Sequence, residues 1–245
     1  MAVELQAVGV SPGALSTTCV VVKPVGLTVG WLMIAHVVAS LLNQSPTVSP
    51  PANWTEIRQD AASDDGSVAL YWKIADSADV AASDFTFGIS TSCSNMGAIT
   101  AWTGHDPATP INAHNGQNQY SSTITSPAIT PSVANCMILM NAAFAGREYT
   151  IWNYAIADDN PPSWTEAYDL STSAGNESTL AMGYAIRPET TSTGLGTASA
   201  VSNGPNVGQL VAIAPAAAPP EEERHQTPHC GPKKLRTEWL STMRM

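Results

Sequence analysis

The sequence predicts an all-β protein: a jelly-roll-like antiparallel β-sandwich built from two repeats of about 110 residues, followed by an extended C-terminal arm. Three observations carry this prediction. Charged residues make up 12% of the 245-residue chain and apolar residues 44%, which is too little charge to solvate long amphipathic helices but enough apolar content for a sizeable core. Short runs rich in Val, Ile, Thr and Trp alternate with clusters of Pro, Gly, Asn and Asp, the pattern of strands and turns. Finally, pieces of the chain recur in a fixed order.

The clearest recurrence is PPANWTE at 50–56 against PPSWTE at 161–166, which sets Trp54 against Trp164, 110 positions apart. ALYWKIA (69–75) aligns with TLAMGYA (179–185) at the same spacing, and GAITAW (97–102) aligns with GQLVAI (208–213) at 111. KPVGLTVGWLMI (23–34) aligns loosely with TPSVANCMIL (130–139), Pro24 and Pro131 being 107 apart. The body therefore spans 1–215, with repeat one over about 17–110 and repeat two over about 121–215. A period this long lies outside the range of stacked solenoids.

Taken in order, the first repeat reads as strands near 17–23, 31–40, 54–58, 67–75, 84–90 and 96–103. Phe85, Phe87 and Ile89 share one face, as do Leu70, Trp72 and Ile74. The Pro-Pro before each repeated Trp cannot donate to a ladder and marks a crossing at a sheet edge, after which the Trp turns into the core. The polar stretch 104–120 reads as a connection between the repeats. Strands of the second repeat fall near 121–129, 136–145, 149–156, 164–169, 178–187, 196–202 and 208–214. Two small sandwiches or two interlocked halves of one sandwich both satisfy this pattern, and the lack of a recognisable linker favours the second. The most apolar run, Trp31–Leu42, is too short to span a bilayer and reads as a buried strand. The start of the chain has no basic n-region followed by a long apolar run, so no signal peptide is expected, and Asn53-Trp-Thr and Asn176-Glu-Ser are discounted as glycosylation sites.

Residues 216–245 change character. A Pro/Ala-rich linker leads to LRTEWLSTMRM, where Leu235, Trp239 and Met243 recur at i, i+4 and i+8, one apolar stripe on a short helix that would need a partner surface. A frayed tail is the alternative reading. Charge reverses here too: residues 1–215 hold 16 acidic and 5 basic residues, whereas 224–245 hold Arg224, Lys233, Lys234, Arg236 and Arg244 against Glu238 alone. An acidic body disfavours nucleic acid, while the basic end suits an acidic protein surface. Leu235, Trp239, Met243, Lys233, Lys234 and Arg236 are thus the expected partner-binding residues.

Sites for chemistry are sparse. His105-Asp106 with His114 is the nearest thing to a catalytic or metal constellation, yet Gly-His-Asp-Pro-Ala-Thr-Pro reads better as a capped turn. His225, His229 and Cys230 supply three zinc-type ligands without a fourth. Asp64-Asp65-Gly and Asp158-Asp159-Asn lack the spacing of a calcium loop. Glu56 and Glu166 could form a carboxylate pair for glycoside hydrolysis, or simply be equivalent positions of the repeat. Cys19, Cys93, Cys136 and Cys230 include no C-x-x-C pair and read as buried or free thiols, although one disulfide stays open. The expectation is a non-enzyme with no cofactor and no metal.

The order of an apolar strand, Pro-Pro-x-x-Trp-Thr, Leu70-Tyr-Trp-Lys-Ile-Ala and Ala98-Ile-Thr-Ala-Trp-Thr-Gly-His-Asp-Pro-Ala-Thr-Pro-Ile-Asn resembles a β-sandwich family of tailed-bacteriophage and prophage virion proteins, over roughly 20–215. In that family a Gly-Asp usually opens the first long strand and a Gly precedes the Trp. Here Gly30 is followed by Trp31, and Asn53 precedes Trp54; Asn can take the left-handed conformation that Gly would supply. The resemblance implies a virion structural protein assembled in the host cytoplasm, of the head-decoration (cement) or tail-fibre type. Its partners would be the major capsid protein or other virion subunits, including further copies of itself, with no nucleic acid or membrane. The arm favours the decoration type; a carbohydrate-binding tail-fibre or adhesin module is the alternative, and a glycan-active enzyme a weaker one.

Overall fold

Every strand between residues 4 and 103 joins one sheet, and every strand between 111 and 213 joins another. The computed structural model describes residues 1–147, 149–158 and 163–217. The first half contains β1 (Glu4–Val10), β2 (Ala14–Val22), β3 (Leu32–Ser40), β4 (Val48–Ser49), β5 (Thr55–Ala61), β6 (Gly66–Ile74), a one-turn helix α1 (Ser77–Ala81) and β7 (Asp84–Thr103). The second contains β8 (Ile111–Ser126), β9 (Cys136–Ala145), β10 (Ile151–Ile156), β11 (Thr165–Thr172), β12 (Ser178–Arg187) and β13 (Gly196–Ile213). All pairings between these strands are antiparallel.

The two sheets follow one plan. The first runs β1-β7-β3-β6-β5, with β2 and β4 also on β7; in the second β13, β9, β12 and β11 take the places of β7, β3, β6 and β5, and β10 that of β4. Strand β8 does the work of both β1 and β2: its start pairs with the end of β13 and its end with the start of β13, as β1 and β2 share β7. Pro12 and the left-handed Gly13 (φ 78°) separate β1 from β2, a break that β8 lacks.

The long strands bend to build two layers from one sheet. Along the start of β7, Phe85, Phe87 and Ile89 are buried while Thr86 and Ser90 face water; its last ten residues are buried on both faces except at the end. Tyr71 of β6 lies 5.9 Å from Phe87, ring centre to ring centre, and its hydroxyl donates to Val48 O at 2.7 Å. Strand β6 pairs with neither β7 nor β4, so the start of β7, with β2 and β4, folds over the sheet and encloses a core. That core holds Cys19, Val21, Met33, Val37, Trp54, Phe85 and Phe87. An equivalent core in the second half holds Ile124, Ile138, Met140, Phe144, Ile151 and Leu210. A third core lies between the halves, where Leu32, Ile34, Val38, Leu70 and Trp102 meet Leu139, Leu180, Met182, Val207 and Val211.

The protein is therefore an all-β sandwich in which each large sheet is one repeat and each repeat adds an outer strip of its own. Strands β3 and β9, covered on both faces, are buried at every position, which is why they read as continuous apolar runs instead of alternating ones. The halves meet as whole sheets: among the described residues, no strand of one half pairs with a strand of the other.

Register confirms the equivalence and corrects the alignment. Trp54 and Trp164 immediately precede β5 and β11, and each of these strands bulges just after Glu56 or Glu166. Asn53 takes the left-handed conformation (φ 67°). Trp54 packs edge-on against Phe85 and Phe87 at 5.5 and 5.6 Å, whereas Trp164 is half-buried over Tyr154. Asn95 and Asn206 match at the expected spacing of 111, each donating to the carbonyl two residues back and to Ser16 O or Ser121 O. Trp72 opposes Thr55 and Tyr184 opposes Thr165, so β6 and β12 are offset by 112, not 110. A slip of two keeps the same face, so the expected alternation survives. Ile34 opposes Trp72 and Leu139 opposes Tyr184, an offset of 105 instead of 107.

Other strands differ from expectation too. β1 and β4 lie outside the expected strands, 84–103 and 196–213 are each one strand instead of two, and the connection expected over 104–120 becomes β8 from Ile111 onward.

A polar seam crosses the shared core. One row across the first sheet is Arg58–Leu70–His36–Ala98, and its counterpart is Tyr168–Met182–Asn141–Gln209–Gly116. His36 Nδ1 lies 3.0 Å from the Tyr168 hydroxyl. Gln209 Nε2 donates to Asp60 Oδ2 at 2.7 Å, Asp60 is paired with Arg58 at 2.6 Å, and Arg58 also donates to Gly116 O at 3.0 Å. A Cβ on Gly116 would fall 2.8 Å from the Arg58 guanidinium, so only glycine leaves room for that hydrogen bond.

Candidate functional site

The expected partner-binding residues Lys233, Lys234, Leu235, Arg236, Trp239 and Met243 lie outside the described residues, as do His225, His229 and Cys230. The structure does describe the root from which that segment leaves. Asp106 N donates to Ala214 O at 2.9 Å, Ala214 N to Pro110 O at 2.9 Å and Ala216 N to Gly104 O at 2.7 Å. The turn after β7 thus holds residues 214–216 as a short antiparallel rung on the loop 104–110. Gly104, left-handed at φ 72°, leaves no room for a Cβ against the Ala2 backbone, so the N-terminal residues close over the same place.

A groove of about 690 Å³ opens at this root. Its walls come from four segments: Met1 and Ala2, Asp106 with Thr109 and Asn112, Ser132–Asn135, and Ala214–Ala217, with Ile186 of β12 at one side. Val133 and Ile186 are 40% and 42% exposed, so the groove presents apolar side chains to water. Asn112 and Ser132 tie its rim together with reciprocal hydrogen bonds of 2.8 and 2.7 Å. Among the described lining residues, Asp106 carries the one charged side chain. Its carboxylate accepts from Ala108 N and Thr109 N at 2.8 and 3.1 Å, and these N–H groups hold it below its ordinary pKa. This is the capped turn that the sequence suggested.

A second, smaller cleft of about 290 Å³ lies where the halves meet. It is lined by Glu56, Ile57 and Trp72 from the first half and Ala108–Ile111 with His114 from beyond it. Trp72 is half-buried there, against the shared core.

The other candidate constellations are dispersed. His105 is buried and bridged to Pro215, whereas His114 is exposed on β8. Burial depresses both pKa values, with the Arg58 charge adding to the effect at His114. Among the described residues, no group of three His, Cys, Asp or Glu side chains is arranged to hold a metal ion. Glu56 and Glu166 stand at equivalent bulges in different halves, Glu56 beside Tyr71 and Glu166 beside Tyr154 and Asp169, so the repeat accounts for both. Asp65 accepts from Asn43 N at 3.2 Å in its turn. Asp158 pairs with the fully buried Arg187 at 2.5 Å; Asp159 lies outside the described residues. Cys19, Cys93 and Cys136 are buried free thiols, and burial pushes Cys93 and Cys136 up to about 11 and Cys19 up to about 12. Thiols so protonated are poor nucleophiles.

Sequence reasoning missed the groove because its walls are distant in the chain and the loop 104–110 looked like a plain connection. The doubled Pro in 107–110 and the His105–Asp106 cap were the available signals.

Compared with known protein families, with characterised proteins and with solved structures, the chain matches none.

Proposed function

We propose that this chain is a bacteriophage virion structural protein of the capsid decoration or cement type, which stabilises the particle through subunit–subunit contacts. The observation that carries the reading is the anchored root at 214–216: a rigid double sandwich fixes the departure point of a segment whose composition and charge differ from the body's. The resemblance of residues 20–215 to virion sandwiches points to the same setting. In this reading the body supplies a stiff block and the segment beyond Ala217 supplies the link to a neighbour, whether the major capsid protein or another copy. Low-resolution imaging of particles carrying labelled protein is the test. Label arrayed over the head is expected; label confined to the tail, or absent from the particle, overturns the reading.

A specific observation favours a second reading, a tail-fibre or adhesin module that binds host-surface carbohydrate. Trp72, Glu56 and His114 line one cleft, and an aromatic face beside hydrogen-bonding side chains is a setting that suits a sugar ring. Titration of the protein with host-surface oligosaccharides, followed by tryptophan fluorescence, tests it. Saturable binding lost in Trp72→Ala would favour this reading; no saturable change up to millimolar sugar would remove it.

A further inference from the structure

We propose that the groove at the root of the C-terminal segment is the seat for that segment's apolar stripe, Leu235, Trp239 and Met243, donated by a second copy of this chain. The inference rests on the reading of 216–245 as an assembly arm and names what the arm grips. Three observations converge on it.

The first is chemical fit. The groove offers Val133, Ala134, Ile186, Ala214 and Met1 at about 690 Å³, room for a few large side chains but not for a folded domain. An amphipathic segment with anchors at i, i+4 and i+8 is the kind of ligand that such a groove takes. The second is charge. Lys233, Lys234 and Arg236 flank Leu235, and the one charged side chain among the groove's described lining residues is the carboxylate of Asp106. The body behind it carries a net charge of −11 over residues 1–215, counted as 16 acidic and 5 basic residues, so the basic end is drawn to it.

The third is reach. Eighteen positions separate Ala217 from Leu235, and Pro215, Pro219, Pro220, Pro228 and Pro232 punctuate the stretch around them. At about 3.1 Å per residue, a chain of that length reaches at most roughly 55 Å. A body of this size is roughly 45 Å across. That length of chain is enough to reach a neighbour's groove. Because arm and groove are different surfaces, the contact is heterologous and can continue from copy to copy.

The test uses full-length chains and sedimentation velocity. One variant disables the arm (Leu235→Glu with Trp239→Glu) and another the groove (Val133→Glu with Ile186→Glu). Both groove positions are exposed, so the fold should tolerate them; unchanged thermal unfolding checks this. The wild-type chain is expected to self-associate with concentration, each variant to associate at least tenfold more weakly, and an equimolar mixture of the two to regain a one-to-one complex. Asp106→Asn keeps the turn's acceptor but removes the charge, and should weaken association a few-fold at low salt and little at high salt. If the groove variant associates as well as wild type, the arm binds elsewhere and this inference falls while the arm reading stands. If the arm variant associates as well as wild type, the arm reading falls and the inference with it. A wild-type chain that stays monomeric up to hundreds of micromolar, or a mixture that fails to complement, also overturns the proposal.

Discussion

His36 shows what a buried titratable group contributes when no chemistry is asked of it. It sits in the core between the halves, bonded through Nδ1 to Tyr168, and burial lowers its pKa from 6.5 to about 3. The unfolded chain therefore binds a proton that the folded chain refuses between about pH 6.5 and 3. Stability is complete above the upper value and falls as the pH drops through this window, by up to about 1.4 kcal/mol per pH unit. His105 and His114 shift in the same direction and add to the slope. Urea midpoints at pH 7.5 and 5 should therefore differ clearly, and His36→Asn, which copies the equivalent Asn141, should narrow the gap. An unchanged gap in that variant would show that His36 is protonated in the folded protein. None of this was legible in the sequence, where His36 marks only a polar residue in an apolar run. Its partner, 132 positions away, is set by which sheet faces meet.

Among the elements, the legible ones were those whose side chains carry the signal. Phe85-Thr-Phe-Gly-Ile and Leu70-Tyr-Trp-Lys-Ile alternate as a half-buried strand must, and β3 and β9 are apolar throughout because they are covered twice. Strand β8 stayed hidden because its side chains, INAHNGQNQYSS, are mostly polar and half-exposed. What holds it is the backbone ladder to β13, and hydrogen bonds between peptide groups leave no trace in residue type. Ser92-Cys-Ser-Asn likewise falls between two expected strands, yet β7 continues through it, with a register shift against β2 between Gly88 and Cys93. The repeated Trp was legible as a position but not as an energy. Trp54 fills the first half's core, so Trp54→Ala should cost about 3–5 kcal/mol, measurable by denaturant unfolding. Trp164 is half-exposed, and its loss should cost at least about 1 kcal/mol less. Equal costs would mean that the two tryptophans are buried alike.

At the scale of the whole molecule, the two-repeat sandwich follows from composition and recurrence, but the way the halves join does not. The sequence allowed two small sandwiches or one interlocked pair, and its lack of a linker favoured the pair. The halves instead keep their strands to themselves, each closing a private core, and share a third one face to face. The choice is set by which faces of β3, β6, β9 and β12 remain apolar once each private core has formed: Leu32, Ile34 and Leu70 on one side, Leu139, Leu180 and Met182 on the other. The groove is a property of this scale as well, since it exists only where the N-terminal residues, the inter-half loop and the end of β13 come together.

Because the halves exchange no strands and one loop joins them, the chain should survive being severed. Two fragments separated between Pro107 and Ala108, produced together, should find one another and rebuild the parent molecule. Like-with-like pairing would be discouraged by the seam: two first fragments would set His36 against Arg58, where the parent offers the Tyr168 hydroxyl. Co-purification of the fragments in equal amounts, with the parent's circular dichroism restored, would show that recognition between the halves is written in their faces and does not depend on the tether.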